Sequence, residues 1–249
     1  MLKLFFKFIY GFLLFMVLGS TYVVATEVQD VFYADFQDTY KCKVLIPEGK
    51  NKKPVMIFDL GEYFDLYKAK DAAQAKVLVE RLMRRFESED YVTVVLEEKY
   101  KRYFALKAAI KYFGQKEYVD AERVSLMSMS QSAFFALIAL TEEFDLEAAV
   151  LVSLTPIEKT GYFSLPNFVR NVAKIKASVF LASGSLERVW ASKVTQVVYD
   201  VLKENNKEVI YQRYVYNVKN FWGADAVFMT DVLQWLASFK PVVLEESKI

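Results

Sequence analysis

The stretch Ser128-Met129-Ser130-Gln131-Ser132 sets three hydroxyls between a short strand-like stretch (residues 123–127) and a helix-forming one (residues 131–144). A serine at such a strand-to-helix turn has two uses. It can attack an acyl carbon, provided a base takes its proton as it does so. Alternatively Ser128 or Ser130 can cap the helix by accepting one of its unsatisfied N–H groups. The chain contains no histidine. Imidazole titrates closest to neutral pH, serves most often as the general base, and is the commonest metal ligand. With no histidine and the single cysteine Cys42, zinc and copper sites are not expected. No loop has the regular acidic spacing of a calcium site, and no cofactor is expected. Cys42 has no partner for an intrachain disulfide and reads as a buried or half-buried strand thiol.

The elements that would position this turn follow from hydropathy patterning. Residues 31–36 and 41–46 alternate and suggest a hairpin. Residues 55–58 and 91–96 are continuous apolar runs of the kind found in strands buried on both faces. Residues 69–86 and 103–113 carry apolar side chains at helical spacing, and Gly114 is a plausible stop for the second. Beyond the serine turn come strands at 148–154, 177–182 and 209–216 and helices at 189–205 and 225–239. Residues 155–174 are irregular, with Pro156, Gly161 and Pro166, and suggest a small lid or crossover. Strands alternating with helices favour parallel pairing and a sheet covered on both faces. The expected fold is a three-layer α/β/α sandwich around a mostly parallel sheet of about eight strands.

Hydrophobic residues make up 54% of the 249, enough for one sizeable core. The net charge of +1 provides no field that would draw in nucleic acid. The basic pairs Lys52-Lys53 and Arg84-Arg85 read as solvated surface.

The element order and three altered motifs resemble the α/β-hydrolase superfamily, in particular its dienelactone-hydrolase and small serine-esterase branch, over residues 28–240. In that family a Gly-x-Ser-x-Gly elbow carries the nucleophile. The resemblance makes Ser130 the counterpart of that serine, with Ser128 and Ser132 replacing the glycines. The family's His-Gly turn after the central strand reads Asp59-Leu60-Gly61-Glu62-Tyr63 here. By resemblance the backbone amides of Gln131 and Glu62 would form an oxyanion hole. Glu187, in Ser183-Gly184-Ser185-Leu186-Glu187, matches the family's acid, or else favours the N-terminus of the helix that follows. The family's histidine falls at Asn220. Asparagine is neutral and cannot accept the nucleophile's proton. Lys219 could replace it only if desolvated, and Asp225 reads as a first-turn acid of the last helix.

Residues 1–25 resemble an export signal, with Lys3 and Lys7 ahead of an uncharged apolar run and Val23-Val24-Ala25 at its end. An uncleaved membrane anchor through residues 4–25 is the alternative. Either places residues 26–249, read as a single domain, outside the cytoplasm. The resemblance and the missing imidazole together imply an exported pseudo-hydrolase that binds an unknown small molecule or protein partner. The alternatives are a slow carboxylic-ester hydrolase using Ser130 and a structural or membrane-anchored interaction protein.

Overall fold

The computed structural model describes residues 27–35, 37–61, 72–98, 100–142, 144–186, 189–215, 221 and 226–239. The apolar runs of the sequence become the strands of one sheet. The strands are β1 (Gln29–Ala34), β2 (Thr39–Leu45), β3 (Lys53–Asp59), β4 (Val92–Leu96), β5 (Val119–Met129), β6 (Ala148–Val152), β7 (Ser178–Gly184) and β8 (Val209–Tyr214). They form an eight-stranded sheet in the order β1-β2-β4-β3-β5-β6-β7-β8. β1 pairs antiparallel with β2, and β2 antiparallel with β4. From β4 to β8 every pairing is parallel.

Parallel neighbours need crossovers, and helices supply them. These are α1 (Ala72–Glu87), α2 (Arg102–Gly114), α3 (Ser130–Ala139), α4 (Leu165–Asn171), α5 (Val189–Glu204) and α6 (Val227–Ala237). Alternate residues of each strand feed opposite faces. Ile57, Leu126, Leu151 and Leu181 pack against α2, α3, α4 and α5. Met56, Phe58, Met127, Val150 and Phe180 pack against α1 and α6. The expected three-layer sandwich is therefore the observed architecture. The residues of β3 are all buried, those of its apolar run 55–58 as expected.

Several expectations shift in detail. β5 is longer than residues 123–127 and carries Ser128 and Met129 as its last two residues. The helix after it starts at Ser130 itself. The irregular stretch 155–174 contains α4, capped by Ser164, whose hydroxyl accepts from the Asn167 amide, and a 3₁₀ turn at Val172–Lys174. Lys53 is not solvated surface. It is buried, and its ammonium lies 2.6 Å from Asp90. The pairing register between β3 and β5 shifts beside it. Lys52 is exposed as expected. Cys42 is buried, and desolvation pushes its thiol up to about 12. Among the described residues no helix is long and apolar enough to cross a membrane. Residues 1–25 lie outside the described residues.

Phe180 tests the α6 side of the core. Its ring is fully buried, with centroids 5.4 Å from Trp235 and 6.1 Å from Phe228. Phe180→Ala should lower the unfolding free energy by about 3–5 kcal/mol in a denaturant titration. A loss below about 1 kcal/mol would mean that α6 does not seat on β7 as described.

Candidate functional site

The C-terminal ends of β3, β5 and β6 meet in register, with Asp59 opposite Ser128, Ser128 opposite Leu151, and Met129 opposite Val152. At this point the chain must turn from β5 into α3 within one residue. Met129 is still extended, with φ −134° and ψ 147°. Ser130, the next residue, has φ +58°. A left-handed conformation at a residue with a Cβ is strained, and such strain collects at functional sites. The geometry is that of a nucleophile elbow: strand, one strained residue, helix.

The helix-capping reading of the serines does not hold. The residue at the cap is Met129, and no side chain caps α3. The hydroxyls point elsewhere. Ser130 Oγ donates to Thr155 Oγ1 at 3.4 Å, and Thr155 Oγ1 donates onward to the Ser153 carbonyl at 3.2 Å. The Thr155 amide also donates to the Ser130 carbonyl at 3.2 Å. Ser153 is itself left-handed, with φ +56°. The half-buried Ser130 hydroxyl is therefore held by a neutral group that has already committed its own proton to a carbonyl.

The other side of the elbow is charged. Asp59, the last residue of β3, is 2% exposed. Its Oδ1 accepts from Ser132 Oγ at 3.0 Å and from the Gly61 amide at 3.2 Å. Burial pushes its carboxyl up to about 6, against the opposing pull of the Ser132 hydroxyl, the Arg102 charge and the Gly61 amide. Gly61 has φ +49°, and a Cβ there would lie 2.3 Å from Ser132 Oγ and 3.3 Å from Arg102 Nη1. Only glycine lets the turn after β3 come this close to α3.

Of the residues singled out from sequence, Ser130 and Gln131 lie together in the first turn of α3, both half-buried. Glu62, Glu187, Asn220, Lys219 and Asp225 lie outside the described residues. Among the described residues no group of three or more His, Cys, Asp or Glu side chains could hold a metal ion. Sequence reasoning missed Asp59, Arg102 and Thr155 as parts of this site. Asp59 carried a signal, since a carboxylate closing an otherwise apolar buried strand needs a partner. Thr155 carried none.

No family model matches the sequence, and no curated protein matches it. Solved structures do match in shape. A dienelactone-hydrolase-type protein of Klebsiella pneumoniae superposes with a TM-score of 0.69 at 13% identity, covering 86% of this chain and 100% of that one. A carboxylesterase-type protein of Lactobacillus plantarum gives 0.63 at 13% identity, covering 86% and 98%. An esterase of Rhizomucor miehei gives 0.65 at 14% identity, covering 86% and 83%. The chain has the α/β-hydrolase fold.

Two predictions follow the strain and the buried charge. Ser130→Gly should be more stable than Ser130→Ala by about 1 kcal/mol, because only glycine adopts this φ without strain; equal midpoints in urea would remove the strain. For Asp59, a folded value above the ordinary 3.8 means that the folded state favours the protonated acid. The resulting destabilisation is fully present above about pH 6 and fades as the pH falls through that value. Relative to Asp59→Asn, the wild-type chain should therefore gain about 1 kcal/mol between about pH 7.5 and about pH 5. A flat difference would mean that the carboxylate is solvated.

Proposed function

We propose that this chain is an exported pseudo-hydrolase, in which the region around the elbow binds a ligand or partner with little or no turnover. One observation carries the reading. The Ser130 hydroxyl is engaged by the neutral Thr155, in a chain that has no histidine to take its proton. Losing one member of a Ser–His–acid set costs several orders of magnitude in rate. In this reading Asn220 occupies the vacant base position, and Glu187 is the acid left without an imidazole to orient. The amides of Gln131 and Glu62 remain as hydrogen-bond donors for an oxygen of the ligand. Residues 1–25 direct export, or anchor the chain in the membrane through residues 4–25.

A second reading is favoured by the φ of +58° at Ser130. A strained elbow is more than a plain strand–helix turn requires, and a slow carboxylic-ester hydrolase with a non-histidine base would make use of it.

Labelling with a serine-directed fluorophosphonate, together with turnover of a short-chain chromogenic ester, separates the two. The pseudo-hydrolase reading expects no labelling and no turnover above background. Labelling that disappears in Ser130→Ala would replace it with the hydrolase. Asn220→His, combined with Ser128→Gly, is expected to raise ester hydrolysis at least about tenfold if the site geometry is retained. No gain, with the fold intact, would mean that position 220 does not face the elbow.

A further inference from the structure

α2 divides its residues between two faces. Ala105, Leu106, Ala109, Ile110 and Phe113 are buried in the core that the helix shares with the sheet. A second stripe, Phe104, Lys107, Ala108, Lys111, Tyr112 and Gln115, follows the helical spacing of three and four along the chain. Among the described residues this stripe lines a groove of about 630 Å³. Ala34 and Asp35 at the end of β1, and Phe144 after α3, line it too. None of the residues described at the elbow does. Small-molecule sites commonly have volumes of about 300–1,000 Å³, apolar walls and a few polar groups.

The outward stripe of a crossover helix is normally polar. This one alternates apolar with cationic side chains, and Phe104 is 55% exposed. Lys107 Nζ lies 2.6 Å from Glu142 Oε2, 5.1 Å from the centre of the Tyr103 ring and 5.9 Å from that of Phe144. Lys116, just past the helix, lies 3.6 Å from the centre of the Tyr112 ring. Lys107 and Lys111 stand one turn apart, a spacing at which like charges repel. The nearby carboxylates are committed elsewhere. Glu142 accepts from Lys107 and from the Tyr103 and Tyr162 hydroxyls. Asp35 accepts from the Gln37 and Asp38 amides at 2.8 Å each and from the Tyr40 hydroxyl at 2.9 Å. Asp38 pairs with Lys101 at 2.6 Å.

We propose that this groove is a binding site, separate from the elbow, for a small organic anion: a carboxylate carried on a flat apolar body. The body lies against Phe104, Tyr112 and Phe144, where the small Ala34 and Ala108 leave room for it. The carboxylate meets the ammonium groups of Lys107 and Lys111. Its charge offsets their mutual repulsion, whereas a cation of the same shape adds to it. An ammonium has three donors, and Glu142 uses one of those on Lys107. Because that side chain is already held by Glu142 and flanked by two rings, binding costs it little further freedom. The site asks nothing of Ser130 and stands whether or not the elbow turns over esters.

The test titrates the full chain with naphthoate and, separately, with naphthylmethylammonium, followed by backbone amide NMR shifts and by calorimetry. Naphthoate should bind saturably and more tightly than the ammonium, with shifts centred on α2 and the end of β1. Lys111→Glu and Phe104→Ala alter exposed side chains, which the fold tolerates. Each should weaken naphthoate binding by about three- to tenfold. Lys203→Glu is the matched control: it changes a lysine 5.9 Å from the centre of the Tyr199 ring on α5, and should leave the affinity unchanged. The site is refuted by the absence of saturation below about 10 mM, by equal binding of the two probes, or by shifts centred on the elbow. Equal losses in Lys203→Glu and Lys111→Glu would also refute it, since they would report a diffuse charge effect.

Discussion

The constraint on which the rest of the site depends is the one-residue turn at Ser130. β5 lies near the middle of the sheet, paired with β3 on one side and β6 on the other. Ser128 is held in both ladders and Met129 in that of β6, so the chain cannot drift gradually into α3. The backbone reverses at residue 130 with φ +58°. A lone strained residue costs of order 1–3 kcal/mol. The surroundings hold it in place: the Thr155 amide bonds its carbonyl, and the fully buried Ala133, Phe134, Ala136 and Leu137 fix α3 against the sheet. The side chain thereby stands at the C-terminal edge of a parallel sheet, where folds of this kind bind their ligands.

The fold was largely legible from sequence because most buried strands are short apolar runs and helices such as α1 and α5 are amphipathic. The residues 55–58 and 148–152 could not have been exposed, and the helical spacing over 103–113 matched a helix with one face on the sheet. Boundaries were less legible. Ser128 and Met129 belong to β5, since their pairing with Leu151 and Val152 extends the ladder past the apolar run; local composition gives no sign of that. Lys53 was misread for a related reason. A lysine beside an exposed one looks solvated, but a partner thirty-seven positions away, Asp90, makes its burial tolerable. Long-range pairing of charges leaves no local pattern.

The site was legible only by motif. The serines at 128, 130 and 132 drew attention to the right turn, yet what each hydroxyl does was decided by distant residues: Thr155 for Ser130 and Asp59 for Ser132. Gly61 shows the same limit. A glycine after a strand suggests a turn, while its requirement follows from the approach of Ser132 Oγ to within 2.3 Å of where a Cβ would be.

Taken together, the two sides of the elbow have opposite character. On one side Ser130 donates to Thr155 and Thr155 donates to the Ser153 carbonyl. Hydroxyls in such a chain pass hydrogen bonds along but accept no net proton, because the terminal carbonyl is not a base at ordinary pH. On the other side Asp59 can take a proton near neutrality, but it meets Ser132 and Gly61 rather than the Ser130 hydroxyl. The chain therefore has a titratable group at its elbow and a strained serine at the same turn, connected through backbone and not through a hydrogen bond. That separation keeps the titratable group from serving Ser130 as the base that acyl transfer requires.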